Sequence, residues 1–443
     1  MKASNYNFFF PHEADSDKII AYNSFSNALA LMDKDKYKVF TCFIDSGKNI
    51  EDKEFLEQLK VGRFLVDSEC DELGLLRLRM LKSRYQTRSL GLTITPTTDC
   101  NFRCTYCYEE DIIKPNYMSI EVQDKIIDLV RSQANTLSYL SVAWYGGEPL
   151  MALDIVERMS KSFLDICEEN GIAYNSNIIT NGYLLTRENA ELLKKLQVSS
   201  MQVTIDGNKD MHDQRRPLID GFGTFDTILG NLLESKDILP PVSIRVNVDK
   251  YNVKQAEDVM SLLSKLNLLD KVKPYLGKVN PDNNTYDASK CFDICGFSEV
   301  DFDYFSKYID ELGYNFRYPR IKSNVCTADA VNSFVIDASG FLYKCWVDIG
   351  NIDASIGNLL INSNANDTLH LNYMLHDATE NSICSDCNLL PVCMGGCPYR
   401  RVNDQDTCST YKYKLESYLI TVSQKIIAHR INKSKPGSKT ISS

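Results

Sequence analysis

No stretch of this 443-residue chain is apolar over the roughly 20 residues that a membrane-spanning helix needs. The opening residues, Met1-Lys2-Ala3-Ser4-Asn5-Tyr6, lack the apolar core of a secretory signal. A cytoplasmic protein with no membrane partner is the expectation. Basic charge is also in deficit: 49 Lys and Arg stand against 59 Asp and Glu, a formal net charge of −10. A nucleic-acid binder shows a basic face, so that class is set aside. The exception is the end of the chain, where Lys425, Arg430, Lys433, Lys435 and Lys439 occur without an acid. Pro436, Gly437 and several serines mark residues 426–443 as a solvated basic tail. Apolar and charged fractions of 44% and 24% are ordinary for a globular protein, and the length allows two or three domains.

Cysteine, in contrast, is abundant. Fifteen cysteines in a reducing compartment point to metal rather than disulfides. Cys100, Cys104 and Cys107 lie at CxxxCxxC spacing in the run Thr98-Asp99-Cys100-Asn101-Phe102-Arg103-Cys104-Thr105-Tyr106-Cys107-Tyr108. A zinc knuckle would want a fourth Cys or His nearby, and none follows within 30 residues of Cys107. A closed four-iron cluster normally takes four thiolates, so three would leave one iron free to bind something else. Seven further cysteines, Cys326, Cys345, Cys384, Cys387, Cys393, Cys397 and Cys408, form the pattern C-x13-G-x4-C, a gap, C-x2-C-x5-C-x3-C, and a last cysteine after ten residues. Gly340 is the glycine of the second step. Among the rest, Cys42 and Cys167 sit in apolar patterns and are expected to be buried small side chains.

From residue 90 the chain alternates strand and helix. Strands are expected at 92–95, 140–144, 177–180, 200–205, 242–248 and 273–276, with helices at 119–134, 152–167, 187–196, 225–233 and 253–266. Such alternation implies parallel strands with helices outside. Upstream, 72–84 reads as a bridging helix. Before it come a β-hairpin, a further strand or short helix, and a helix from Glu54 to Leu65. The expected divisions are 1–70, an N-terminal element; 71–89, the bridge; 90–300, the alternating strand–helix unit; 301–425, the second cysteine field; and 426–443, the tail.

The CxxxCxxC run, with Phe102 and Tyr106 at its aromatic positions, resembles the radical S-adenosylmethionine enzymes. The resemblance implies a partial (βα)6 barrel. It implies a 4Fe-4S cluster on Cys100, Cys104 and Cys107, whose open iron binds S-adenosylmethionine and cleaves it to a 5'-deoxyadenosyl radical. Tyr145-Gly146-Gly147-Glu148-Pro149 is similar to the family's GGEP motif, in which Glu148 would take the amino group of S-adenosylmethionine. Thr180-Asn181-Gly182 is similar to its ribose-contacting motif. In Thr204-Ile205-Asp206-Gly207, Thr204 would contact the cofactor, while Asp206 is either part of the motif or a turn residue. In His212-Asp213-Gln214-Arg215-Arg216, one arginine would fork onto the S-adenosylmethionine carboxylate, and Arg216 is favoured. The seven-cysteine field resembles the SPASM region of relatives acting on peptides and proteins. That likeness implies two auxiliary 4Fe-4S clusters, three clusters in all. Cys384, Cys387, Cys393 and Cys408 would close the outer one, and Cys326, Cys345 and Cys397 would hold the inner one. Two closed clusters need eight thiolates. The inner cluster is therefore either open to a substrate thiolate or completed by another residue such as Cys295.

Residues 1–70 resemble the winged-helix-like element by which ribosomal-peptide maturases add a leader peptide as an extra strand. Sulfatase maturases lack such an element and place an aspartate directly after the cysteine of the G-x4-C step, where this chain has Trp346. The leading expectation is a maturase of the sactipeptide or ranthipeptide kind, installing cysteine thioether cross-links. The alternatives are a peptide carbon–carbon cyclase or epimerase, an anaerobic sulfatase-maturase-like oxidase, and a peptide-binding relic, which the complete set of ten motif cysteines argues against. Expected partners are a precursor peptide with a leader and a cysteine-containing core, and a one-electron reductant such as flavodoxin or ferredoxin. The sequence names no catalytic side chain.

Overall fold

The computed structural model describes residues 1–433 apart from 13–14, 283–285, 324–325, 362–364 and 406. The end of the expected tail, 434–443, lies outside the described residues. The chain opens with β1 (Lys2–Ala3), β2 (Asn7–Pro11), β3 (Lys18–Asn23), β4 (Ala28–Asp33), α1 (Lys34–Ser46), α2 (Lys53–Val61) and β5 (Leu65–Val66). β2, β3 and β4 form an antiparallel sheet in that order, and β1 pairs with β5. The sheet is buried on both faces. Ala21, Met32 and Phe9 pack on Phe40, Phe55 and Leu59 from α1 and α2. Ile20 and Tyr22 pack on Leu389, Val392, Leu415 and Leu419 from the C-terminal region.

Two expectations for this segment need correction. The helix beginning near Glu54 stops at Val61 rather than reaching Leu65, because Gly62 closes it and Arg63 adopts a left-handed φ of 58°. That turn frees Leu65 and Val66 to pair with Ala3 and Lys2. Cys42, expected to be buried, is exposed on α1, whereas Cys167 is buried as expected. In α1 it is Phe40 that faces the core.

The bridging helix α3 (Glu72–Arg84) starts from Asp71, whose carboxylate accepts the Gly74 N–H at 2.8 Å. There follow β6 (Ser89–Ile94), α4 (Ile120–Gln133), β7 (Tyr139–Trp144), α5 (Leu153–Asn170), β8 (Ala173–Thr180), α6 (Arg187–Lys195), β9 (Val198–Thr204), α7 (Lys209–Arg215), α8 (Phe225–Ser235), β10 (Val242–Val248), α9 (Ala256–Lys265), β11 (Val272–Lys278) and α10 (Ile294–Lys307). Strands β6 to β11 are parallel and lie in sequence order, open at β11: a partial barrel of six βα units. The short helix α7 was not anticipated; its seven residues are nearly all polar, so no apolar periodicity announces it.

The sheet does not end at β6. Beyond it come β12 (Ser333–Ile336), parallel to β6, then β13 (Phe341–Tyr343) and β14 (Gly357–Asn358), both antiparallel, making nine strands in all. Gly340, the glycine of the G-x4-C step, sits in the β12–β13 turn at φ +81°, a left-handed conformation that glycine adopts without strain. Asp337 closes that turn by accepting the Ser339 and Phe341 N–H groups at 2.9 and 3.0 Å. The final helix, Tyr411–Lys433, lies against α10 and runs through the start of the expected tail. Among the described residues no helix is long and apolar enough to cross a membrane.

Arg84, at the end of α3, locks the bridge to the C-terminal region. Its guanidinium is buried and donates to the Met374 carbonyl at 3.1 Å and to the His376 carbonyl, and lies 3.9 Å from Asp329, which also pairs with Arg401 at 2.7 Å. Arg84→Met removes the donor to the His376 carbonyl, leaves the Met374 carbonyl to the Tyr85 hydroxyl alone, and removes a buried charge. It is expected to cost about 3 kcal/mol, read as a lowered urea midpoint, while surface Arg131→Met leaves the midpoint in place.

Candidate functional site

The loop after β6 carries Cys100, Cys104 and Cys107 and is pinned on two sides. On one side Arg103 N–H donates to Pro217 O at 2.8 Å and Thr105 N–H to Arg215 O at 2.9 Å. On the other, the turn after β7 docks through Gly147 N–H to Thr97 O at 3.3 Å and Glu148 N–H to Asp99 O at 2.8 Å. A Cβ on Gly147 would sit 2.1 Å from Asp99 O, and one on Gly146, at φ +115°, 2.3 Å from a Thr95 methyl. These two glycines therefore serve the close approach of one loop's backbone to the other.

Glu148 is fully buried. Its carboxylate accepts from Thr180 Oγ1 at 2.7 Å, Asn181 N–H at 2.7 Å and Leu150 N–H at 3.0 Å. Burial raises its pKa, and these donors together with the Arg216 charge oppose that rise. Glu148 thus ties the end of β7 to the end of β8, with acceptor capacity left for a further donor. Asn181 donates from its side chain to Asn101 Oδ1 at 2.8 Å, bringing the β8 motif onto the cysteine loop.

A second buried network gathers at the ends of β9 and β10. Asp206 accepts from the Tyr106 hydroxyl, from Asn247 N–H at 2.9 Å and from Arg215 Nε at 3.5 Å. Thr204 is buried at the end of β9, two residues before it. The two arginines differ in what they hold. Arg215 donates to Asp249 at 2.6 Å and lies over the Tyr106 ring at 4.7 Å. Arg216 donates to the Tyr106 hydroxyl at 2.9 Å and lies 5.5 Å from the Phe102 ring centroid. Its buried Nε has no hydrogen-bond partner, and no carboxylate reaches it within ion-pair distance among the described residues. A buried guanidinium without an anion fits a ligand carboxylate, and Arg216 rather than Arg215 is free to take one.

The ten motif cysteines fall into three groups. Cys104 and Cys107 oppose ionisation of Cys100; Cys326 and Cys397 oppose that of Cys345; Cys393, Cys387 and Cys408 oppose that of Cys384. Cys295 is exposed and is not among the principal neighbours of the middle group. In every group burial is the first cause that raises the thiol pKa, to about 12 for Cys107. As free thiols Cys100, Cys104, Cys107, Cys326, Cys345, Cys384 and Cys393 would stay protonated, whereas a coordinating metal deprotonates a thiol outright. No three metal-ligating side chains converge on a single point among the described residues; a multi-iron cluster gives each thiolate its own iron. Gly395 and Gly396, both left-handed, shape the turn between Cys393 and Cys397, and a Cβ on Gly396 would lie 1.7 Å from Thr407 O, next to Cys408.

Two placements were not foreseen. Trp346, next to Cys345, stacks on Tyr145 with ring centroids 5.2 Å apart, and Tyr145 hydrogen-bonds Tyr108, next to Cys107. Cys384 packs beside Tyr6 and Phe25, and Cys387 beside Ile20 and Tyr22. The middle group thus lies toward the barrel and the last group against the N-terminal sheet. Gly147→Ala is expected to push the Thr98–Asp99 turn out of place. Iron analysis of anaerobically reconstituted protein should show loss of the iron held at Cys100, Cys104 and Cys107, with the iron on the later cysteines retained.

This chain is 24% identical over 381 residues to a cysteine-type anaerobic sulfatase-maturating enzyme of Clostridium novyi, covering 77% of this chain and 99% of the relative. It is 25% identical over 172 residues to the sporulation killing factor maturation protein SkfB of Bacillus subtilis, 39% of this chain and 38% of SkfB. Among solved structures, native anSMEcpe with bound AdoMet and Cp18Cys peptide superposes with a TM-score of 0.58 at 18% identity, covering 77% of this chain and 99% of the other. Streptococcus suis SuiB bound to precursor peptide SuiA superposes at 0.53 and 16% identity, covering 92% and 97%. Residues 94–263 match the family model of the Radical SAM superfamily. The pinned cysteine loop and strands β7 to β10 lie within that match, which marks this part of the chain as a Radical SAM domain.

Proposed function

We propose that this protein is a peptide maturase that joins cysteine sulfur to carbon in a ribosomally made precursor. The observation that carries the reading is the middle thiol group. Among the described residues, the thiols that principally neighbour Cys345 are Cys326 and Cys397, and the one that principally neighbours Cys326 is Cys397; the Trp346–Tyr145 stack sets this group against the barrel. A cysteine of the substrate would complete that set, since iron of this kind favours soft sulfur ligands. Relatives named for peptide binding or peptide maturation, SuiB and SkfB, support a peptide substrate.

A 4Fe-4S cluster on Cys100, Cys104 and Cys107 with S-adenosylmethionine would supply a 5'-deoxyadenosyl radical able to take hydrogen from an unactivated C–H bond. The chain's own residues bind and orient. Arg216, braced by Tyr106, would take the cofactor carboxylate, and Glu148 its ammonium. Asn181 and Thr204 would line the ribose side, and Gly146 and Gly147 keep the two loops in register. The seven later cysteines would hold two further clusters. Forming the thioether removes two hydrogens from the peptide: a hydrogen atom from carbon, and a thiol proton with one electron. Flavodoxin or ferredoxin would serve as the outside reductant, in the cytoplasm. The free edges of the β2–β3–β4 sheet offer unpaired backbone groups on which a leader peptide would add as a strand.

A second reading, oxidation of a protein cysteine as in sulfatase maturation, is favoured by the Clostridium novyi relative, 99% of whose length is covered. Against it stands Trp346, half-exposed, at the position after Cys345 where those enzymes have an aspartate.

Anaerobic coexpression with a cysteine-rich peptide encoded beside this gene tests the reading. The peptide should become two hydrogens lighter, and the cysteine involved should resist iodoacetamide. The same mass loss with every thiol still alkylated would indicate a carbon–carbon bond instead. Deuterium uptake from heavy water without mass loss would indicate epimerisation. For the cofactor site, Arg216→Lys trades a planar fork for a point charge. S-adenosylmethionine should then bind about tenfold more weakly by equilibrium dialysis, with iron content unchanged.

A further inference from the structure

Where the ends of β10 and β11 face the start of α10, a cavity of about 530 Å³ opens at the rim of the barrel. Three cations line it, Lys250, Lys278 and Arg400, against two acids, Asp282 and Asp293. Asp293 is already committed: it caps α10, its Oδ1 accepting the Gly296 N–H at 2.7 Å. Asp282 lies at 3.5 Å from Arg400, a long contact for an ion pair. Lys278 has a single long hydrogen bond, to the Phe292 carbonyl at 3.3 Å, and no carboxylate within ion-pair distance among the described residues. Burial and then the nearby Arg400 charge lower its pKa, and the charges of Cys291, Asp282 and Asp293 only partly oppose them. The positive end of the 14-residue α10 adds to the same field. Phe292 and the buried Cys291 supply an apolar floor.

The cavity lies between the two halves of the chemistry. Lys250 follows Asp249, whose carboxylate holds Arg215 at 2.6 Å in the network around Tyr106. Arg400 stands three residues after Cys397. With three cations against two acids, the lining has a balance of one positive charge, which suits a monoanion better than a phosphate.

We infer that this cavity is a carboxylate-binding subsite that seats an acidic group of the peptide substrate, Lys278 and Arg400 being its principal donors. The inference rests on the peptide-modifying reading and adds a substrate requirement to it: a carboxylate close to the residue being modified.

The test is a binding measurement that needs no turnover. Reconstituted full-length protein is titrated by calorimetry with ten-residue amidated peptides that differ only in a central Asp or Asn, and with the Asn peptide carrying a free C-terminal carboxylate. The Asp peptide should bind at least about tenfold more tightly than its Asn twin, and added salt should erode that preference. Lys278→Met and Arg400→Gln should each reduce the difference to less than about twofold, with iron content and S-adenosylmethionine binding unchanged. Tight binding of the free-terminus peptide would support the carboxylate site and assign its source to a chain end. Equal binding of the Asp and Asn peptides to the unaltered protein overturns the inference and needs no variant to fold. So does a preference that survives both substitutions. Either result leaves the thioether reading standing on its own mass measurement. Conversely, a clear Asp preference without peptide modification would sink that reading and keep the subsite.

Discussion

The pairing of β12 with β6 is the constraint on which the rest of the molecule depends. Ser333 to Ile336 run parallel to Gly91 to Ile94, so a strand from the C-terminal region becomes the neighbour of the strand that delivers the first cysteine loop. A backbone ladder leaves little freedom of position. Cys326 precedes β12 and Cys345 follows β13, and both are therefore held relative to Cys100, Cys104 and Cys107 by the sheet itself rather than by a linker. The Trp346–Tyr145 stack adds an aromatic contact on the same seam.

Much of this was legible in the sequence, and the exceptions have physical causes. Cysteine spacing announced that the ten motif thiols gather in groups, because residues close in sequence stay close in space. The barrel's strands and principal helices were legible because short strand-length apolar segments alternate with stretches of helical apolar periodicity. β12 was not, since four residues beside a turn carry too little pattern to distinguish a strand from a loop. Gly146 and Gly147 were legible as members of a motif, but what they approach, the Thr97–Asp99 backbone, depends on tertiary contact. Cys42 misled because an apolar neighbourhood in sequence says nothing about which side of a helix a residue takes, and Phe40 took the core side.

The choice between Arg215 and Arg216 shows what a structure adds. Adjacent in sequence and alike in chemistry, they are separated by the acids around them. Asp249 and Asp206 neutralise the first, whereas the second faces aromatic rings and a phenol. A buried cation that is not paired is costly, and folds retain such costs where a ligand relieves them.

The N-terminal sheet is packed on both of its faces, on α1 and α2 and on the C-terminal helices. It cannot swing away without uncovering Ile20 and Tyr22, and its edge therefore stays at a constant span from the barrel mouth. Were a chain gripped at that edge, the packing would act as a ruler: it would set the number of residues between grip and mouth, and a chain of another length would present a different residue.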